Sequence, residues 1–184
     1  GVSETLGEGG VSSNYRFDLA PKTWEFIRNT RSGTAVFTMP SGPIKCGGAP
    51  QKIMWLAEHL FEKKRIRDQA NIYFVTPRPG IFGVPYYAEV LTKLARKRNI
   101  LTRYRCELVE VRGESKEAVI RNLDTGEQEP VPYEVLHVTP PQSAPDFIKK
   151  SPLADEAGWV DVNSKTLRHN KYGKIFGLGD AGST

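Results

Sequence analysis

The 184 residues hold no apolar run long enough to cross a bilayer as a helix. They also lack a GxGxxG glycine fingerprint, a CxxC pair and any zinc-type ligand spacing. The two cysteines, Cys46 and Cys106, are far apart, and nothing in their spacing supports a disulfide; each reads as a reactive or a buried thiol. His59, His137 and His169 have no ligand-like spacing, and no Ser–His–Asp or paired-carboxylate arrangement can be read. There is no initiator methionine, leader or transit-peptide pattern, so Gly1 reads as a cut within a longer chain. The net charge of +5 invites an anionic partner. Its cations are dispersed, however. Lys63, Lys64, Arg65 and Arg67 end one expected helix, and Arg96, Lys97 and Arg98 end another, where they complement the helix dipole. No nucleic-acid partner is expected.

What the chain does contain is an alternation of strand and helix. The run Thr34–Met39 is short and nearly continuous in apolar residues, as in a strand covered on both faces, and Asn71–Thr76 and Ile100–Tyr104 read as the next two strands. Between them, helices are expected over 49–64, with Ile53, Leu56, Ala57, Leu60 and Phe61 facing the core, and over 85–98, with Tyr87, Val90, Leu91 and Leu94 facing it. A shorter helix is expected around Pro21–Ile27. Short connections imply right-handed crossovers and a parallel sheet. Leu108–Val111, Glu117–Ile120 and Tyr133–Val138 then read as an antiparallel meander, with Asp124-Thr125-Gly126 as a turn. A Pro/Ser/Asp-rich stretch and Trp159–Val162 follow, and Lys174–Asp180 reads as a further strand running into a Gly-Asp turn. The fold class expected is α/β: a Rossmann-like three-layer domain with a parallel sheet plus a β-meander. Residues 1–30 are expected as a connector with a short helix, 31–138 as a dinucleotide-type domain, and 139–184 as a return segment.

The sharpest chemical signal is the loop Pro43–Lys52, which follows the first strand and opens the first long helix. A nucleotide-binding domain puts its glycine fingerprint there, but this loop presents Cys46. The second strand ends in Thr76-Pro77, with no Asp or Glu for an adenosine ribose. A nicotinamide pocket is therefore not expected. A helix N-terminus with Lys45 and Lys52 would favour thiolate at Cys46; alternatively Cys46 is a small filler in a tight loop. Local chemistry leaves the two open. Cys106, among Arg103, Arg105 and Glu107, reads as an ordinary strand residue. Gly177-Leu178-Gly179-Asp180 is a second, weaker signal, and Thr139-Pro140-Pro141 is weaker still.

Taken together, SSNY (12–15), KTW (22–24), PIKCGGAPQKIM (43–54), GIFGV (80–84), LHVTPP (136–141) and AGWVDV (157–162) resemble sulfide:quinone oxidoreductases of the mitochondrial-like type. The resemblance implies a flavoprotein of the pyridine nucleotide-disulfide oxidoreductase superfamily, with FAD bound mainly by another, N-terminal dinucleotide domain. The domain here would correspond to the second one and present a redox cysteine, Cys46, to the flavin. Its partner cysteine would lie beyond Thr184, and Cys106 has no place in that role. Gly179 and Asp180, with Thr139 and Pro140, would contact FAD. Sulfide, a sulfur acceptor and quinone are the implied substrates. The whole protein would sit on a bacterial or mitochondrial inner membrane through segments outside these residues, while this portion alone would be soluble and inactive; homo-oligomerisation is left open. The competing expectations are an NAD(P)H-dependent flavin oxidoreductase of the same superfamily, resembling a type-two NADH dehydrogenase, and a non-catalytic binding module.

Overall fold

The computed structural model describes residues 1–184. They divide into two compact units, Gly1–Ser41 with Cys46–Pro140, and Gly42–Lys45 with Pro141–Thr184.

In the larger unit the chain runs α1 (Val2–Thr5), β1 (Val11–Ser12), α2 (Ala20–Asn29), β2 (Gly33–Thr38), α3 (Ala49–Lys63), β3 (Ala70–Thr76), α4 (Pro85–Lys97) and β4 (Ile100–Tyr104). It continues through β5 (Cys106–Arg112), β6 (Glu117–Asn122), β7 (Gln128–Pro132) and β8 (Val135–His137). Five strands form one parallel sheet in the order β1-β8-β2-β3-β4, and β5-β6-β7 form a separate antiparallel sheet. The α/β class with parallel sheet and meander is thus as the sequence led us to expect.

Membership of the two sheets differs from expectation in one strand. The run 133–138 does not close the meander: β8 inserts between β1 and β2, pairing Leu136 with Val11 and with Val36. The third meander strand is β7. It contains Pro130 and Pro132, which cannot donate to a ladder, and it is tolerated because β7 pairs on one side only. The start of the chain, read as connector, supplies β1. Gly10 makes this possible: its φ is +95°, and a Cβ there would stand 2.1 Å from the Glu134 carbonyl oxygen.

The parallel sheet is covered on both faces. Val11, Val36, Val75 and Leu136 pack against Val111, Ala118, Ile120 and Val131 of the meander. Phe37, Ile72 and Phe74 are also fully buried, and α3 packs on β2 and β3. Each large apolar side chain so enclosed contributes roughly 1.5–3 kcal/mol.

The buried face of α3 is rotated from the expected one. Met54, Ala57, Glu58 and Phe61 point inward at i, i+3, i+4 and i+7, while Leu56 is 66% exposed and Ile53 and Leu60 are half-buried. The periodicity was genuine but the face included a carboxylate that hydropathy alone scores as outward. Glu58 is enclosed because Arg98, at the end of α4, forms an ion pair with it. On α4 only Ala95 is buried, and Tyr87 and Val90 are exposed, so the expected stripe is at best half-covered. At the far end of the sheet, Lys64 donates to the Arg28 and Thr30 carbonyls, and Arg67 donates to those of Arg98 and Asn99. Part of the basic excess therefore joins the C-terminal ends of α2, α3 and α4.

The smaller unit has little regular structure: α5 (Asp146–Lys149) and a 3-10 turn at Gly179–Ala181. The strand expected at 174–180 does not form; the unit has only isolated bridges, Ala154 to Val160, Val162 to His169, Arg168 to Phe176 and Val160 to Gly182. Side-chain and turn bonds hold it instead. His169 donates through Nε2 to the Leu153 carbonyl and accepts at Nδ1 from the Lys171 and Tyr172 amides, so both ring nitrogens are satisfied. Gly177 lies against Val160 and Val162, each 2.9 Å from where a Cβ would stand. No helix is long and apolar enough to cross a membrane.

Candidate functional site

Three neighbouring parallel strands, β1, β8 and β2, end on the same edge of the sheet. Ligands of open α/β sheets bind outside this carboxyl edge. Three chemistry-bearing residues follow those strands: Tyr15 after β1, Thr139 after β8 and Cys46 after β2.

Cys46 is a free, exposed thiol. Its carbonyl accepts from the Ala49 amide at 3.1 Å, which ties the residue to the first turn of α3. Phe82 covers Gly48 and the loop behind it, its ring 3.5 Å from the position of a Gly48 Cβ. That 77–84 loop is held in turn by Gln51, a buried residue of α3 that donates to the Ile81 carbonyl at 3.0 Å and accepts from the Trp55 indole at 3.1 Å. Cys46 is thus not a filler: the small residues beside it are packed, and its sulfur is in the open.

Cys106 is free too, but buried at the start of β5. Burial pushes its thiol above the usual value, with Asp124 and Glu129 adding to the rise and Arg103 partly offsetting it. It is an ordinary strand residue, as expected. Of the lysines expected to act on Cys46, Lys45 belongs to the smaller unit, where its ammonium donates to the Gly182 and Thr184 carbonyls and lies 4.1 Å from the centre of the Trp159 ring. Lys52 is exposed on α3.

Where β1 and β8 end at the same sheet edge lies a polar group that sequence reasoning missed. His137, 0% exposed, accepts at Nε2 from the Asn14 amide at 3.0 Å and is stacked on Phe37. That bond puts the proton of the neutral ring on Nδ1, which has no partner. Burial lowers the His137 pKa to about 4, so the ring is neutral at ordinary pH. The Ser12, Tyr15 and Thr139 hydroxyls are also buried without a hydrogen-bond partner of good geometry. Ser12 is the register partner of His137, and the Tyr15 ring stands 6.5 Å from the imidazole. Burial pushes the Tyr15 phenol up; the Thr139 hydroxyl partly offsets this, and charge on Cys46 adds to the rise. In the sequence the strings SSNY (12–15) and LHVTPP (136–141) touch this group, but only Thr139 and Pro140 stand out from them as site residues.

Among the other expected site residues, Thr139 is buried and Pro140 exposed, both at the sheet edge. Gly179 and Asp180 lie in the smaller unit, in the 3-10 turn. Gly179 takes φ +75° with open space where a Cβ would be, and the Asp180 carboxylate is exposed. Phe176 and Leu178 beside them are 60% and 75% exposed, an uncovered apolar flank.

No protein-family model matches the sequence. Curated relatives do: the mitochondrial sulfide:quinone oxidoreductases of Mus musculus, 48% identical over 181 residues, Dictyostelium discoideum, 44% over 182, and Schizosaccharomyces pombe, 38% over 184. Each likeness covers 98% of this chain, and the chain spans 40% of the relative's length. Among solved structures, the sulfide:quinone oxidoreductase of Aquifex aeolicus aligns with a TM-score of 0.77 at 18% identity, over 95% of this chain and 42% of that one. Thioredoxin reductase from T. acidophilum aligns with a TM-score of 0.63 at 18% identity, over 100% of this chain and 52% of that one. These two show the fold alone. By sequence, over nearly its whole length, the chain is similar to mitochondrial sulfide:quinone oxidoreductases.

Proposed function

We propose that this chain is part of an FAD-dependent sulfide:quinone oxidoreductase in which Cys46 exchanges sulfur. The observation that carries the reading is the exposed Cys46 thiol at the carboxyl edge of a parallel sheet, where a dinucleotide fold binds its ligand. In the working protein Cys46 is bridged to a second cysteine outside these residues. Hydrosulfide attacks the S–S bond, leaving a persulfide on one cysteine and a thiolate on the other. A small nucleophile such as sulfite, glutathione or a second sulfide then takes the outer sulfur. The bound flavin supplies a two-electron acceptor between sulfur and quinone.

Several features of this chain fit contact with such a group. The Asp180 carboxylate is exposed, Gly179 leaves its backbone open, and Thr139 has a buried hydroxyl without a partner, beside an exposed Pro140. Cys106 takes no part, being buried with a raised pKa. A nicotinamide reading is disfavoured by Thr76 at the end of β3: its hydroxyl is buried and occupied by Met39 Sδ and the Arg78 amide, and no acid stands there for a ribose. The parent protein acts at a mitochondrial or bacterial inner membrane, through segments other than these.

Thiol mapping on the flavin-loaded parent protein tests the reading. Before sulfide, Cys46 should resist alkylation as half of a disulfide. After sulfide, it should become labelled or carry one extra sulfur. A Cys46 freely alkylated beforehand and unchanged by sulfide would count against it.

A further inference from the structure

Helix α4 carries an apolar stripe that these residues leave largely uncovered. Tyr87, Val90, Leu91 and Leu94 recur at i, i+3, i+4 and i+7, the spacing of a core-facing side. Leu91 and Leu94 are half-buried, but Tyr87 and Val90 are exposed, as are Val84 and Tyr86 before them, the last at 73%. Tyr86 stands edge-on to Tyr87 with ring centres 5.4 Å apart, and Tyr87 edge-on to Phe82 at 6.4 Å. The Phe82 ring in turn lies 4.0 and 3.5 Å from where Cβ atoms of Gly47 and Gly48 would stand, beside Cys46 in the chain. A run of apolar side chains thus leads from the Cys46 loop onto the outer side of α4. Glu89 and Lys93, paired with each other at exposed positions, give it a polar rim. A contiguous exposed patch of this kind marks a contact surface.

The chain spans 40% of each curated relative, so the parent protein of the preceding section has other segments to lay on this face. One of them is fixed in place by chemistry: a cysteine bridged to Cys46 has its Cα within about 4.4–6.8 Å of the Cys46 Cα. The residues flanking that cysteine have the Phe82 end of the run as their neighbouring apolar surface. We propose that the segment carrying the second cysteine, in the chain that follows Thr184, packs on the face formed by Phe82, Tyr86, Tyr87 and Val90, and that this contact seats its sulfur against Cys46. The proposal rests on Cys46 being half of a disulfide, as in the preceding section. The occupant is an apolar segment whose cysteine lies at the end nearest Phe82.

The test is photocrosslinking in the flavin-loaded, full-length protein carrying Tyr86→p-benzoylphenylalanine, with the captured peptide located by mass. That peptide should come from the chain after residue 184 and contain or flank a cysteine. Capture of any other segment, capture of a second copy (recognised in mixtures with isotope-labelled protein), or no capture overturns the proposal. If this variant fails to fold, the same probe at Val90 decides on the same outcomes. Hydroxyl-radical footprinting of the unsubstituted parent gives a second readout. Tyr86 and Tyr87 should be oxidised about tenfold more slowly than in the urea-unfolded protein, as expected of side chains in the core of a contact. Rates close to the unfolded ones overturn the proposal. Neither measurement uses sulfide, quinone or turnover. A negative result here therefore leaves the redox reading of Cys46 standing, and failure of that reading appears in the thiol mapping.

Discussion

Acidification should weaken the fold through one side chain, His137. Its ring is fully enclosed, accepts the Asn14 amide at Nε2 and has a pKa of about 4, against 6.5 for an exposed histidine. The unfolded chain therefore takes up this proton first as pH falls. Stability linked to the neutral ring is complete above the unfolded value and is lost progressively as pH falls from 6.5 towards 4. Between pH 7 and pH 5 the loss is about 2 kcal/mol, and it approaches about 3 kcal/mol below the folded value. Carboxylates such as Glu107, held low by Ser41 and Arg121, add their own acid loss, so the wild-type curve alone does not isolate His137. The comparison with His137→Gln does, since the amide offers an acceptor to Asn14 and does not titrate. Urea unfolding followed by far-UV circular dichroism at both pH values should show the wild type losing about 2 kcal/mol more than the variant. Equal losses in the two proteins would refute the assignment of a buried neutral imidazole.

Two further outcomes follow from the geometry. Arg98→Ala leaves the Glu58 carboxylate buried without its cation. Because the Arg98 side chain is 40% exposed, the cost should be about 2 kcal/mol, less than for a fully buried pair, and thermal unfolding should show a midpoint several degrees lower; a shift under about a degree would contradict the role given to that pair. Mixed with FAD and desalted, the 184-residue protein should retain little or no flavin absorbance, since the proposed function has the flavin held mainly by a domain outside these residues. Stoichiometric yellow protein would contradict this.

Local signals carried the fold a long way, and their failures have physical causes. The run at 34–39 is buried from Ala35 onward and so reads as apolar without alternation, while 100–104 lies at the sheet edge with only Ile100 buried; with 71–76, all three are parallel strands. β8 looked like the next meander strand because its neighbours in space, Val11 and Val36, are about a hundred residues away, a pairing to which local periodicity is blind. β7 was missed because Pro130 and Pro132 argue against a strand unless its edge position is known. On α3, hydropathy put Leu56 inside, where it is exposed, and would score Glu58 outward; the Arg98 partner, 40 residues on, accounts for the enclosed Glu58. Cys46 was visible as a thiol in a fingerprint's place. Whether it was packed as filler or open to solvent depended on exposure, which the structure supplies. Tyr15 and His137 lie in strings that resemble the family but have no role legible there, since their meaning lies in partnerless buried atoms on two neighbouring strands.

The central claim is that the Cys46 sulfur is where sulfide chemistry occurs. The most direct measurement is sulfide-dependent quinone reduction by the flavin-loaded, full-length protein carrying Cys46→Ser, beside the same protein carrying Cys106→Ser. The account predicts that the first substitution abolishes turnover while flavin content is kept, and that the second leaves turnover in place. Undiminished turnover without the Cys46 sulfur would contradict it.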